Sequence, residues 1–184
     1  MNKTHMSEVN NYFNTSGSGL KCITISLSEL MLALPVEKVD KVIKQTPVIS
    51  SGLNHMGITH YEGDPITVVD LHYQLFQRRQ SEKSSGKYLI IAKAVGQNKF
   101  AFPVQEAPSL VEFPMSSLRV LPPSYRGTDT LEVASHVVRK AHSSGDETTF
   151  FVLDVDYLSK KYGENKVTAA CTNLATETHM AQIR

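Results

Sequence analysis

Short apolar segments separated by turn residues recur along most of the chain. Cys22–Leu27 alternates apolar and polar residues, which is typical of a strand with one buried face. Leu30–Leu34 is more continuously apolar and is followed by Pro35, which ends a strand because it has no N–H to donate. The β-branched residues up to Ile43 then favour a short turn followed by another strand. This pattern predicts a mainly β fold with few short helices.

Turn residues predict two hairpins. In the first, Gly57–Glu62 and Ile66–Val69 flank a Gly-Asp turn. In the second, Leu131–Val138 and Thr148–Leu153 flank a Ser-Ser-Gly-Asp turn. Residues 121–127 contain two prolines and a glycine, so we expect a loop there.

The chain also repeats one arrangement of elements. Ala33–Val42 begins Ala-Leu-Pro-Val and is answered by Ala101–Leu110, which begins Ala-Phe-Pro-Val. Gly63–Asp70 is answered by Gly145–Asp154, and both end an apolar run with an Asp that leads into a Leu/Tyr-rich stretch, predicted to be a short helix. We therefore expect two similar small β subdomains. Each is near the lower size limit for an independent core, so the two should pack on each other.

Composition adds limits on the class of protein. The 184 residues are 41% hydrophobic and 20% charged, with a formal net charge of +1. That balance gives no electrostatic reason to expect a nucleic acid as partner. No signal-peptide core is present, and no apolar run reaches the roughly 18–20 residues that cross a bilayer. Cys22 and Cys171 are too few for a disulfide framework. We expect a cytoplasmic protein without direct membrane insertion.

Asp70 and Asp154 are the strongest candidates for carboxylate chemistry, because a duplicated fold could bring equivalent carboxylates together. An Asp at a strand-to-helix junction also accepts N–H bonds from the first helical turn, so we expect both to be structural caps. The alternative is a hydrolase that uses both carboxylates, which a separation beyond roughly 10 Å would exclude.

Other catalytic and cofactor motifs are missing from the sequence. The seven histidines include no pair at the i, i+4 spacing of a zinc protease, and no Cys-x-x-Cys is present. The chain also lacks phosphate-binding glycine loops and a nucleophile elbow. We therefore predict no metal, no cofactor and no catalytic residue.

Five segments resemble motifs of the CheW-like domain of bacterial chemosensory systems, and they are Leu32–Ile43, Gly57–Gly63, Ile66–Leu71, Lys99–Val104 and Phe151–Leu158. The first of these is the most specific, and the resemblance covers about residues 20–160. The chain resembles a divergent member, because Glu62 stands where the family has an arginine and His60 where it has an asparagine. A stretch with a glycine in the family's second subdomain is replaced by Leu131–Val137, which has none.

The resemblance implies two five-stranded, SH3-like β-barrels. We expect a flexible N-terminal segment over residues 1–20, a CheW-like domain over 21–163 and a polar C-terminal tail over 164–184. Within the domain, the boundaries are about 21–76 for the first barrel, 77–87 for the linker and about 88–158 for the second barrel.

The resemblance also implies a non-enzymatic adaptor for chemotaxis or pilus-linked motility. Such a protein joins the cytoplasmic tip of a chemoreceptor to the regulatory domain of a CheA-type histidine kinase. The resemblance implies recruitment to membrane-associated receptor arrays, and the balanced charge predicts no nucleic-acid partner. The alternative is a generic SH3-like module that binds protein or nucleic acid.

Two sets of residues are expected to contact these partners. A receptor-binding groove between the barrels would be floored by Val39, Val42 and Ile43. The kinase-facing residues would be Gly57, Ile58, Glu62, Val104 and Ala107. The alternatives are ordinary core packing for Val39 and Val42, and a solvated hairpin charge for Glu62.

Overall fold

A computed structural model describes residues 19–50, 56–78, 86–126, 131–143 and 145–162. Within these ranges the chain forms twelve strands, and they are β1 Gly19–Leu27, β2 Leu30–Pro35, β3 Val39–Lys44, β4 Ile49–Ser50, β5 Met56–Tyr61, β6 Asp64–Val69, β7 Tyr88–Lys93, β8 Lys99–Val104, β9 Ser109–Pro114, β10 Arg119–Val120, β11 Ala134–Ala141 and β12 Glu147–Leu153. The α-helices of the same ranges are α1 Leu71–Phe76, α2 Pro123–Arg126 and α3 Val155–Tyr162.

The strands form two six-stranded sheets. Sheet A has the order β10-β11-β12-β2-β1-β9, and sheet B has the order β3-β7-β8-β6-β5-β4. Match β1 with β7, β2 with β8 and so on to β6 with β12. The strand order of sheet A then becomes the strand order of sheet B, read from the opposite edge. The duplication predicted from the sequence is therefore present in the topology. In each sheet one edge strand, β4 or β10, is only two residues long, which limits pairing with other chains.

Each half of the chain contributes strands to both sheets. Strands β1 and β2 join sheet A, whereas β3 to β6 join sheet B, and the second half divides in the equivalent way. The predicted barrel boundaries, 21–76 and 88–158, therefore do not coincide with the two sheets. The reason lies in β2 and β8, which are buried on both faces and so need a hydrogen-bonded neighbour on each side.

Parallel pairing supplies those neighbours. Val152 of β12 lies opposite Ala33 of β2, and Val68 of β6 lies opposite Ala101 of β8. The two alanines are equivalent in the sequence repeat, and both are fully buried. The repeated motif thus marks the point where one half of the chain pairs with the other.

Three hydrophobic cores follow from this arrangement. A central core lies between the sheets and includes residues from both sheets and from α1 and α3, among them Leu32, Leu34, Ile90, Phe100, Phe102 and Leu158. A core of sheet A includes Cys22, Ala33, Phe113 and Val152. A core of sheet B includes Tyr61, Val68, Leu89, Ile91 and Ala101. Each sheet therefore encloses a small core of its own and shares the larger central core with the other.

The duplicated aspartates begin the two helices that close the central core. Asp70 Oδ1 accepts a hydrogen bond of 3.0 Å from the Tyr73 backbone N–H at the start of α1. Asp154 Oδ1 accepts the equivalent bond of 2.9 Å from Tyr157 at the start of α3. Each carboxylate thus caps its own helix, as the position of the residue in the repeat predicted.

The structure differs from the prediction in the connection between β10 and β11. Residues 121–127 were expected to be a loop, but α2 spans Pro123–Arg126. Proline is compatible with the first position of a helix, where no N–H is required. Among the described residues, no helix is long and apolar enough to cross a membrane, and no group of potential ligands could hold a metal ion.

The N-cap contacts give a stability prediction. We expect Asp70→Ala and Asp154→Ala each to lower the free energy of unfolding by about 1 kcal/mol, because a first-turn N–H loses its acceptor. Urea unfolding at neutral pH measures this. Asp70→Asn and Asp154→Asn are the matched controls, since asparagine keeps an acceptor oxygen. Equal losses in the alanine and asparagine variants would contradict the capping role.

Candidate partner-binding surfaces

The predicted receptor-binding residues lie on β3, an edge strand of sheet B. Its pairing with β7 is irregular, because Val39 lies opposite Ala92 whereas Lys41 lies opposite Ile91. Two steps along β3 therefore match one step along β7, and Asp40 is the extra residue of a β-bulge.

The bulge determines which side chains share a face. Directly paired residues of a sheet project to the same side. Val39 and Val42 pair with Ala92 and Ile90, so both project toward the face that meets the central core. Without the extra residue, positions 39 and 42 would lie on opposite faces. We call this side of sheet B its central face.

Ile43 lies on the other side of the sheet. It pairs with Leu89 and packs against the core enclosed by sheet B. The three residues predicted to form the floor of one groove therefore do not share a face, and Ile43 is removed from that set. Adjacent residues of a strand project to opposite faces, so Val42 and Ile43 could not share one. Which of the two joins Val39 depends on the bulge, and the sequence did not show the bulge.

Val39 and Val42 differ in exposure. Val39 is partly buried and packs against the central core, whereas Val42 is 37% exposed. Val42 is thus the accessible member of the predicted set. Core packing, the alternative considered from the sequence, therefore applies to Val39, whereas a receptor contact through the exposed Val42 stays a prediction.

An ion pair anchors the chain just before β3. Lys38 Nζ lies 2.9 Å from Asp156 Oδ2 on α3, and both side chains are largely buried. Asp156 Oδ1 also accepts a 2.9 Å hydrogen bond from the Val95 backbone N–H. Helix α3 of the second half therefore holds the entry to β3 of the first half.

Gly57 is buried rather than available to a partner. A Cβ atom at this position would lie 2.5 Å from Val48 Cγ1 and 2.9 Å from the Ile49 carbonyl oxygen. Glycine is required here because Val48 and the neighbouring strand β4 approach the Gly57 backbone so closely. The expected kinase-facing role of Gly57 is replaced by a packing role.

Ile58, by contrast, belongs to an apolar row on the central face. It pairs with Ile49, which is 64% exposed, and with Thr67 on its other side. Ile58 itself packs against the central core. Ile49 was not among the residues predicted from the sequence, and its position two residues after Pro47 gave no signal of exposure.

The remaining kinase-facing candidates are separated. Val104 is buried in the central core at the end of β8, so its side chain offers no contact surface. Ala107 follows it and is exposed. Glu62 lies near Lys99 at the opposite end of β8. At 3.3 Å per residue the two ends are about 16 Å apart, so Ala107 and Glu62 do not form one compact site.

Glu62 occupies the tip of the hairpin between β5 and β6. Tyr61 pairs with Asp64, which leaves Glu62 and Gly63 as a two-residue turn. Their φ angles are 55° and 95°, and positive values at both positions are those of a type I′ turn. Glu62 thus adopts a left-handed conformation that suits asparagine or glycine better.

Lys99 connects this turn to the bulge in β3. Its Nζ atom lies 2.9 Å from Asp40 Oδ2 and 3.8 Å from Glu62 Oε2. The same ammonium lies 5.1 Å from the centre of the Tyr61 ring, within range of a cation–π interaction. The contact with Glu62 is longer and more exposed to solvent than the contact with Asp40, so Asp40 is the main partner of Lys99.

Protonation equilibria follow this geometry. The hydrogen bond from Lys99 lowers the pKa of Asp40 and raises the pKa of Lys99 in return. Burial, followed by the hydrogen bond to Glu62, raises the pKa of Tyr61 to about 12. At neutral pH the cluster therefore contains a neutral phenol between charged groups. Neither Asp40 nor Lys99 was predicted as functional, because they are distant in sequence and only the fold brings them together.

Comparison with known proteins gives the family. The family model described as CheW-like domain matches residues 21–162. The chain belongs to the CheW-like domain family. The crystal structure of the scaffolding protein TtCheW from Thermoanaerobacter tengcongensis is similar to it, with a TM-score of 0.61 and 22% identity over 79% of this chain and 90% of that chain. No curated protein matches this chain.

Family and fold agree with the sequence analysis. The match to the family model confirms the resemblance drawn from the motifs, and the structural likeness confirms a mainly β fold of two SH3-like subdomains. Membership of the CheW-like family supports a role as a chemotaxis adaptor. The assignment of individual residues to individual partners stays a prediction.

The packing of Gly57 gives a prediction that separates structure from binding. We expect Gly57→Ala to lower the free energy of unfolding by about 1–3 kcal/mol, because the new methyl group overpacks the contact with Val48 and Ile49. Guanidinium unfolding measures the loss, and the double variant Gly57→Ala/Val48→Ala should regain part of it. An unchanged unfolding free energy in the single variant would remove the packing role.

Proposed function

We propose that this CheW-like protein is a non-enzymatic adaptor in a bacterial chemosensory system. It joins the cytoplasmic tip of a chemoreceptor to the regulatory domain of a CheA-type histidine kinase, and through the receptor it is recruited to membrane-associated arrays. The observation that carries this proposal is the match of the family model to residues 21–162, together with exposed apolar side chains at the edges of sheet B.

The receptor contact is assigned to the central face of β3. Val42 is exposed there, beside the partly buried Val39. A helical receptor tip presents an apolar stripe, and an aliphatic strand edge of this kind offers it a complementary surface. Val39 supports the surface from beneath, while Val42 makes the contact.

The kinase contact is assigned to the hairpin edge formed by β4, β5 and the turn after it. Ile49 and Ile58 provide adjacent apolar side chains, and Glu62 provides an exposed charge at the end of the same edge. Ala107 lies at the far end of β8 and would touch only a partner that extends along the strand.

The charge of Glu62 defines the chemistry of its partner. The family motif that Gly57–Gly63 resembles has an arginine at this position, whereas this chain has a carboxylate. Because an interface needs opposite charges, the cognate kinase should present lysine or arginine opposite Glu62. Glu62 lies 3.8 Å from Lys99 and also interacts with the Tyr61 hydroxyl, and it would exchange these contacts for an intermolecular one.

A charge placed at Val42 tests the receptor contact. We expect Val42→Glu to weaken binding of the receptor's cytoplasmic hairpin about tenfold or more, because a carboxylate would have to be desolvated against an apolar helix. Isothermal titration with the purified hairpin fragment measures the affinity. The unfolding free energy of the Val42→Glu variant should differ from that of the wild type by less than about 0.5 kcal/mol.

Leu110→Glu is the matched control for this experiment. Leu110 is the repeat equivalent of Val42 on sheet A, where it is 68% exposed. The Leu110→Glu variant should bind the receptor hairpin with the affinity of the wild type. Equal affinities for Val42→Glu and the wild type would refute the assignment of the receptor to β3.

Substitution of Glu62 tests the kinase contact, with stability and binding moving in opposite directions. We expect Glu62→Asn to leave stability equal or higher, because asparagine tolerates a φ of 55°. The same variant should weaken binding of the kinase regulatory domain about tenfold, and Glu62→Arg should weaken it further. Glu106→Gln, which neutralises an exposed carboxylate of the second half, should bind normally. Wild-type affinity in Glu62→Arg would show that the turn charge has no partner.

A further inference from the structure

We infer that Asp156 is a positioning residue, which fixes the turn before β3 from the other half of the chain, and that the equivalent segment before β9 is not fixed in this way. The turn before β3 is Val36–Lys38, and we call it the entry turn. The inference deepens the proposed function, because that function assigns the receptor contact to β3. Its main test, however, needs no partner.

Apolar packing contributes little to the entry turn. Val36 and Glu37 are exposed, and Lys38 is only partly buried as a whole residue. The turn is closed by a hydrogen bond from the Val39 backbone N–H to the Val36 carbonyl oxygen. A single turn of 3₁₀ helix has little stability of its own. Its conformation therefore depends on contacts that its side chains make elsewhere.

Asp156 supplies such a contact from helix α3. Lys38 Nζ lies 3.1 Å from Asp156 Oδ1 and 2.9 Å from Oδ2, so the ammonium contacts both oxygens of the carboxylate. The two side chains are only 12% and 18% exposed, and charge-assisted hydrogen bonds are screened less where water is excluded. The Val95 backbone N–H donates a further bond to Oδ1. One carboxylate thus connects the entry turn to a helix and a loop of the second half.

Loss of the carboxylate charge should release the entry turn. Lys38 would keep a largely buried positive charge without this counter-ion, and a buried charge is costly once its partner is removed. The ammonium recovers hydration by moving toward water. Because Lys38 belongs to the turn, and β3 is an edge strand of sheet B, we expect the turn to open with it.

The second half of the chain provides an internal comparison. In the repeat, Glu106 is equivalent to Lys38, and His72, two residues after the first duplicated aspartate, is equivalent to Asp156. Both members of the pair are therefore replaced. Glu106 is exposed and forms no ion pair with another described residue. The segment before β9, residues 105–108, is fully described and contains no helical turn.

His72 makes its polar contacts outside the second half. Its Nδ1 atom lies 3.0 Å from the Arg78 carbonyl oxygen, and its Nε2 atom lies 3.0 Å from Ser28 Oγ. Helix α1 is therefore not joined to residues 105–108 through this side chain, whereas α3 is joined to the entry turn through Asp156. The start of β3 should consequently be more rigid than the start of β9.

Amide hydrogen exchange in the full chain, followed by nuclear magnetic resonance, tests the inference. In the wild type, the protection factor of Val39 should exceed that of its repeat equivalent, Ala107. In Asp156→Asn we expect the protection factor of Val39 to fall about tenfold relative to those of Ile90 and Phe102, because charge-assisted hydrogen bonds are lost. The two reference amides lie in inner strands of sheet B and report global unfolding. A residue that only stabilised the fold as a whole would lower all of these protection factors together.

Variants of Lys38 and Glu106 complete this experiment. Lys38→Met should lower the protection factor of Val39 as Asp156→Asn does, and the double variant should be no less protected than either single variant, because both changes remove one interaction. Lys38→Arg should keep the protection, since it retains the charge and its donors. Glu106→Gln is the matched control at the equivalent position and should leave Val39 unchanged.

Two results would contradict the inference. An unchanged protection factor of Val39 in Asp156→Asn, or in Lys38→Met if Asp156→Asn does not fold, would overturn the positioning role. Equal protection of Val39 and Ala107 in the wild type would overturn the difference between the two strand entries.

Receptor binding separates this inference from the proposed function. If both are correct, Asp156→Asn should bind the receptor hairpin several-fold more weakly, because a mobile strand entry must be ordered on binding. A lower protection factor of Val39 with unchanged receptor affinity would support the role of Asp156 and reject the assignment of the receptor to β3. An unchanged protection factor would reject the role of Asp156 whatever the affinity.

Discussion

Parallel pairing between the two halves of the chain is the constraint on which the rest of the structure depends. Strands β2 and β8 are buried on both faces, and each is completed by the last strand of the other half, at Ala33–Val152 and Ala101–Val68. Neither half can form a whole sheet alone. The two halves consequently form one structural unit, although the sequence within it is duplicated, and the central core includes residues of both sheets.

Residues of the second half of the chain also contact β3 of the first half. Helix α3 of the second half holds the entry to β3 through Asp156 and Lys38, and Lys99 of the second half forms an ion pair with Asp40, the bulged residue. Strand β3, to which we assign the receptor contact, is therefore contacted from the second half at two points. An adaptor that binds separate partners benefits from such rigidity, because a docking edge that is already ordered loses less conformational entropy on binding.

Much of the fold could be predicted from the sequence, because its signals are local. Alternating apolar residues located the strands, a repeated Gly-Asp located the hairpins, and Asp70 and Asp154 were expected to cap helices, where the structure places them. The candidate site was less predictable. Burial of Gly57 beneath Val48 and of Val104 in the central core depends on contacts between strands distant in sequence, which no local pattern reveals.

The sequence by itself determined the strands, the duplication, the turn chemistry and the family, since each of these depends on residue type and short-range spacing. Only the tertiary structure decided how the strands were shared between the sheets and which face each candidate residue occupies. The physical reason is that pairing register is a non-local property. One extra residue at Asp40 places Val42 on the central face and leaves Ile43 against the core of sheet B, and the carboxylate of Asp40 forms an ion pair with Lys99 from the other half of the chain.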